Sequence, residues 1–145
     1  MELNTYFIDQ HQGRNTVFTD QQIVDFLHTH LEAFGDPKED IQRCLDYVHE
    51  RGGFICLGLL DQRIVGAVVI NETGMSKYIP ENILVYIAMD KAHRGKGFGR
   101  QLMQAAIERC QGDIALHVEP DNPAKFLYEK LGFTNKYLEM RLKQA

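Results

Sequence analysis

The stretch Ile83-Leu84-Val85-Tyr86-Ile87-Ala88-Met89, followed by Arg94-Gly95-Lys96-Gly97-Phe98-Gly99 and then by Leu102, Met103, Ala106, Ile107 and Cys110, decides how this chain is read. An unbroken apolar run is a buried strand, the glycines mark a loop, and the last five positions follow the spacing of a helix. A strand, a glycine-rich loop and a helix in that order aim several backbone N–H groups at one point, at the positive end of the helix. Glycine lets the backbone approach a ligand, because no Cβ stands in the way. A phosphate or diphosphate is the natural guest of such a loop. The window from Lys91 to Arg100 carries four basic residues and no acidic one, in a chain whose net charge is -4.

Two familiar uses of a glycine loop are excluded by spacing. A Walker A loop needs Ser or Thr after Gly-Lys to hold magnesium, and here Gly97 follows Gly95-Lys96. A dinucleotide fingerprint needs G-x-G-x-x-G, whereas Gly95, Gly97 and Gly99 give G-x-G-x-G. Glu119 lies near a strand end where an acidic ribose ligand would stand, but the chain has no room for the second half of a typical dehydrogenase.

Outward from the loop, the chain reads β-α-α-β-β-β-α-β-α-β, a mixed α/β order in one domain, 1–145. Leu3 to Asp9 is a first strand. Ile23, Phe26, Leu27, His30, Leu31 and Phe34 are one helix face, capped by Asp20 or Thr19. Asp36-Pro37-Lys38-Glu39 has the form of a capping box with Pro at the first helical position, opening a helix whose stripe is Ile41, Cys44, Leu45 and Val48. Phe54–Leu60 and Ile64–Ile70, joined by Asp61-Gln62-Arg63, form a hairpin. A polar loop from Asn71 to Pro80 leads to the strand at Ile83. After the long helix come a strand at Ile114–Val118, a short helix at Pro123–Leu131 and a closing strand at Tyr137–Leu142.

Composition bounds the function. The chain has 145 residues, of which 44% are hydrophobic and 25% charged, enough for one packed core. No apolar run approaches a membrane span, and Met1-Glu2-Leu3-Asn4 does not begin a signal peptide. Cys44, Cys56 and Cys110 are far apart with no C-x-x-C pair, which argues against a zinc site and predicts reduced thiols in a cytoplasmic protein. The mildly acidic balance argues against a nucleic-acid partner.

R-x-x-G-x-G at a strand-to-helix turn resembles the acetyl-CoA signature of the GNAT superfamily, the Gcn5-related N-acetyltransferases. Tyr128-Glu129-Lys130-Leu131-Gly132-Phe133 is similar to that family's second motif, and the element order agrees over most of the chain. The resemblance implies a mostly antiparallel twisted sheet, splayed at the cofactor strand and flanked by four helices. It implies acetyl-CoA as cosubstrate, with its diphosphate on the backbone amides of Arg94, Gly95, Lys96, Gly97, Phe98, Gly99 and Arg100. The side chains of Arg94, Lys96 and Arg100 would add charge there. The backbone of Ile87, Ala88 and Met89 would pair with the pantetheine amides.

Tyr128 matches the family tyrosine near the CoA sulfur, where a phenol can protonate the departing thiolate. Glu81, thirteen residues before Arg94, is the candidate base, directly or through water, because several members that modify protein amines carry a glutamate at this spacing. His117, on the next strand, is the alternative. Asn122 and Lys125 are further expected cofactor contacts, although Asp121 stands where the family has its asparagine, while Ala124 keeps its usual place. No metal and no covalent enzyme intermediate are implied, and Cys56 or Cys110 as an acyl carrier lacks a nearby base. The acceptor is a primary amine on a small molecule or a protein, entering between the first two helices and the Asn71–Pro80 loop, with Phe34 and Tyr78 beside Glu81. Homodimers are common in the family. The rival expectation is a non-catalytic acyl-CoA sensor on the same fold.

Overall fold

A computed structural model describes residues 2–144. The chain runs β1 (Asn4–Ile8), α1 (Asp20–Leu31), a 3-10 turn Glu32–Phe34, α2 (Lys38–Glu50), β2 (Gly53–Leu60), β3 (Arg63–Glu72), β4 (Asn82–Met89), a 3-10 turn Lys91–His93, α3 (Phe98–Arg109), β5 (Ile114–Leu116) and α4 (Ala124–Lys130). The five strands lie in chain order in one sheet, antiparallel from β1 to β4 and parallel between β4 and β5.

Alternation along the strands builds two cores. On β2, Ile55 and Leu57 face α1 and α2, where they meet Ile23, Leu27, Ile41, Leu45 and Val48. Phe54 and Cys56 face the other way, onto Leu102, Met103 and Ala106 of α3 and Tyr128 of α4. Each fully buried Leu or Ile contributes on the order of 1.5–3 kcal/mol to this sandwich. β4 follows the same rule, sending Tyr86 and Ala88 to the α1/α2 side and Leu84 and Met89 to the α3/α4 side.

Two irregularities shape β4. Val69 pairs with Tyr86 but its neighbour Ile70 pairs with Leu84, so Val85 is an extra residue, a bulge that bends the strand. The pairing with β5 covers only Asn82↔Ile114, Ile83↔Ala115 and Leu84↔Leu116. Beyond Leu84 the strands part, and among the described residues Val85–Met89 has β3 on one side and no strand on the other. Asn82, 3% exposed, pins the root of this fork, its side-chain amide donating to the carbonyls of Gln111 (2.8 Å) and Asp113 (3.2 Å). The expected splayed sheet with four flanking α-helices is therefore present.

Of the two expected caps of α1, Thr19 is the one used, in a reciprocal capping box with Gln22, and four other expectations change. α2 starts one residue later than the D-x-x-E pattern suggests: Pro37 is its cap, without a side-chain hydrogen bond, and Asp36 is used elsewhere. β3 runs on to Glu72, which shortens the polar loop, and β5 stops at Leu116. Tyr137–Leu142 forms no strand. The segment alternates as a strand would, but Tyr137, Leu138, Met140 and Leu142 are 79% to 91% exposed, and none of them pairs with the sheet. A period-two pattern produces a strand only where an edge receives it.

Candidate active site

The loop after β4 is built locally. Asp90 accepts the Ala92 N–H (2.9 Å) and starts the 3-10 turn. Gly95 (φ 80°) and Gly97 (φ 81°) then take the left-handed conformation that side chains disfavour. A Cβ at either position would meet no protein atom within 4 Å, so the loop faces open space. Gly97 caps α3 without a side-chain hydrogen bond, which leaves the first N–H groups of the helix free for a ligand. Lys96 and Arg100 are exposed beside them, and neither makes an ion pair among the described residues. An anion-binding end thus adjoins a half-paired strand, Val85–Met89, that contains Ile87, Ala88 and Met89. The backbone of that strand has hydrogen-bonding capacity on the side that β5 leaves.

Arg94 belongs to this loop by its backbone, but its side chain is otherwise employed. Nε donates to the Met89 carbonyl (3.2 Å), one terminal nitrogen to Glu32 (3.0 Å) and the other to the His30 carbonyl (2.9 Å).

Tyr128 stands under the same end of the sheet, 7% exposed, in the cluster that holds Phe98 and Met89. Its ring packs edge-on against Phe133 at 5.9 Å. Burial pushes its phenol up to about 12, so it remains a proton donor. Asn122 uses its side-chain oxygen to accept the Ala124 N–H (2.9 Å) at the start of α4, leaving its amide nitrogen available. Lys125 is half-buried one turn on.

Glu81 lies apart from the glycine loop. It precedes β4, at the opposite end of the strand from the loop, and its carboxylate accepts the Asp113 N–H (3.0 Å). That hydrogen bond holds its carboxyl below the usual range. A Cβ at Gly112 would lie 2.5 Å from the Glu81 carboxyl carbon, so the two are fitted closely. His117 follows the last paired residue of β5. Ile114, Leu116 and Val118 pack toward α3, and His117, just past the end of β5, is exposed.

On that face lies a pair the sequence reading missed. Tyr86 donates its hydroxyl to Asp36 in the α1–α2 connection at 2.5 Å. Burial and the Asp36 carboxylate raise the Tyr86 phenol well above its ordinary value. The only signal was a polar-tipped aromatic within an otherwise aliphatic strand. The thiols are inert by the same physics: burial pushes Cys44 and Cys56 up to about 12 and Cys110 up to about 11. Among the described residues there is no cluster of His, Cys, Asp and Glu arranged for a metal, and no helix long and apolar enough to cross a membrane.

The chain is similar to known acetyltransferases. It is 30% identical over 92 residues to N-alpha-acetyltransferase 30 of Schizosaccharomyces pombe, covering 60% of this chain and 61% of that protein. The chain thus spans about three-fifths of the length of this curated relative. Among solved structures, the ribosomal-protein-alanine N-acetyltransferase of Brucella melitensis biovar Abortus 2308 superposes with a TM-score of 0.69 at 16% identity, covering 99% of this chain and 100% of that one. The NatC complex bound to Gag peptide and CoA matches with a TM-score of 0.73 at 20% identity, over 94% of this chain and 87% of that one. The model of the acetyltransferase (GNAT) family matches residues 18–133. The chain belongs to the acetyltransferase (GNAT) family.

Proposed function

We propose that this protein transfers the acetyl group of acetyl-CoA directly to a primary amine within one ternary complex. The observation that carries this reading is the junction of the open glycine loop with the forked strand. The diphosphate takes the free amides between Gly95 and Arg100, with charge from Lys96 and Arg100. The pantetheine amides pair with the unpaired backbone of Ile87, Ala88 and Met89. Asn122 and Lys125 flank the cofactor from α4.

The acceptor amine must be neutral to attack. It adds to the thioester carbonyl from the α1/α2 face and forms a tetrahedral oxyanion, which N–H groups of β4 stabilise. Collapse breaks the C–S bond, and Tyr128 donates its proton to the leaving thiolate. His117 takes the amine's proton in this mechanism. Its place at the fork favours it over Glu81, whose carboxylate is engaged by Asp113. In this reading the protein works in the cytoplasm on a peptide α-amine, an acceptor that the likeness to an N-alpha-acetyltransferase supports.

Calorimetric titration with acetyl-CoA tests this, with NADH and ATP as controls. Binding on the order of micromolar, about -8 kcal/mol, is expected for acetyl-CoA alone. CoA release with a panel of peptides of varied first residue then distinguishes an enzyme from a sensor. Failure of acetyl-CoA to bind overturns the proposal.

The Tyr86–Asp36 bond anchors the loop that borders the acceptor side. Tyr86→Phe removes one charge-assisted hydrogen bond and is expected to lower stability by about 1–2 kcal/mol. It should raise the acceptor KM more than the acetyl-CoA KM. Denaturant melts and steady-state kinetics read both effects, and an acetyl-CoA KM that rises equally contradicts the assignment of this face to the acceptor.

A further inference from the structure

Glu32, the residue after α1, has φ 56° and ψ -125°. That is a glycine conformation, and an L side chain is strained in it. Gly35, three residues later, has an ordinary φ of -97°. Such a strained residue persists where its side chain is needed. Its carboxylate accepts from Arg94 (3.0 Å) and lies 3.8 Å from the Lys91 ammonium. These three residues are 62 positions apart at the widest and meet only through the fold. The Arg94 hydrogen bond draws the Glu32 carboxyl below its ordinary range.

The guanidinium therefore spans three fixed points: the last carbonyl of β4, a carbonyl in the last turn of α1, and Glu32. Exposed ion pairs contribute little to stability, so stability does not explain a strained backbone kept for one. Geometry does. A planar fork held at three points sets the direction in which the chain leaves residue 94. Gly95 and Gly97, which follow, have open space around them and no packing of their own to hold them.

We infer that Glu32 is a positioning residue for the diphosphate-binding loop: by holding Arg94 and Lys91 against the end of α1, it pre-arranges the amides of Gly95–Gly99. This rests on the proposal that the loop takes the acetyl-CoA diphosphate. Two effects of Glu32 oppose each other. Pre-arrangement lowers the ordering cost of binding, whereas a carboxylate near the loop repels an anion. Pre-arrangement dominates here, because the carboxylate is neutralised by two cations.

The test compares the wild type with Glu32→Gly and Glu32→Gln. Glycine removes the carboxylate and relieves the backbone strain together, so its melting temperature should not fall. Acetyl-CoA is titrated by calorimetry and S-acetylpantetheine, which lacks the diphosphate, by NMR. Both variants are expected to bind acetyl-CoA about five- to tenfold more weakly, with S-acetylpantetheine unchanged. Unchanged or tighter acetyl-CoA binding overturns the inference, as does an equal loss for both ligands, which would mean general loosening. If the wild type itself fails to bind acetyl-CoA, the proposed function fails first, and separately.

Discussion

Gly97→Val should weaken acetyl-CoA binding by about 100-fold or more while leaving a folded protein. Gly97 sits at φ 81° as the cap of α3. A β-branched side chain there costs on the order of 1–3 kcal/mol of backbone strain. No protein atom lies within 4 Å of the added Cβ, so the core is not disturbed and the melt shifts by several degrees only. The same open space is where the diphosphate would come closest to the backbone, and three extra carbons occupy it. A loss of about 100-fold, roughly 2.7 kcal/mol, is the minimum expected. Calorimetry beside a thermal melt separates the two effects. A cooperative melt with acetyl-CoA binding close to that of the wild type would remove the loop from the site.

Tyr128→Phe should lower kcat by about 10- to 100-fold and leave acetyl-CoA affinity nearly untouched, the mark of a group that acts in the transition state. Phenylalanine keeps the packing against Phe133 and loses only the hydroxyl. The pH dependence follows from the same burial. The folded state holds the Tyr128 proton up to about 12, above the ordinary phenol value near 10. Stability from this group is thus fully present below the unfolded value and is lost as pH rises toward the folded one. Turnover should show no loss from Tyr128 ionisation around neutrality. Unchanged kcat with both substrates saturating would exclude Tyr128 from the chemistry.

Much of this was legible along the chain because it is local. The glycines at 95 and 97 and the helix stripes depend on neighbours within a turn, and they appear where the pattern puts them. The site is less legible where partners are distant. The side chains of Arg94, Lys96 and Arg100 were all expected near the phosphates, yet that of Arg94 is held by residues more than sixty positions away. Glu81 has the spacing of a base, but spacing does not show what a carboxylate faces, here the Asp113 N–H. Asp36 looked like a helix cap, and a one-residue shift in the start of α2 frees it for Tyr86, fifty positions on. The alternation at Tyr137–Leu142 is equally local, and pairing is not.

The fork also sets an order of opening. Three residue pairs and the Asn82 side chain are the strand-to-strand attachment of β5 to the rest of the sheet, whereas β2 and β3 share a full-length ladder. Regions of such unequal attachment open as separate cooperative units. The β5–α4 segment is the weak one, and it carries Tyr128. A cosubstrate lying in the gap would replace the missing ladder and bridge both sides, completing the sheet. Amide exchange in β5 and α4 would then slow on binding, while the β2–β3 hairpin, already closed, would scarcely change.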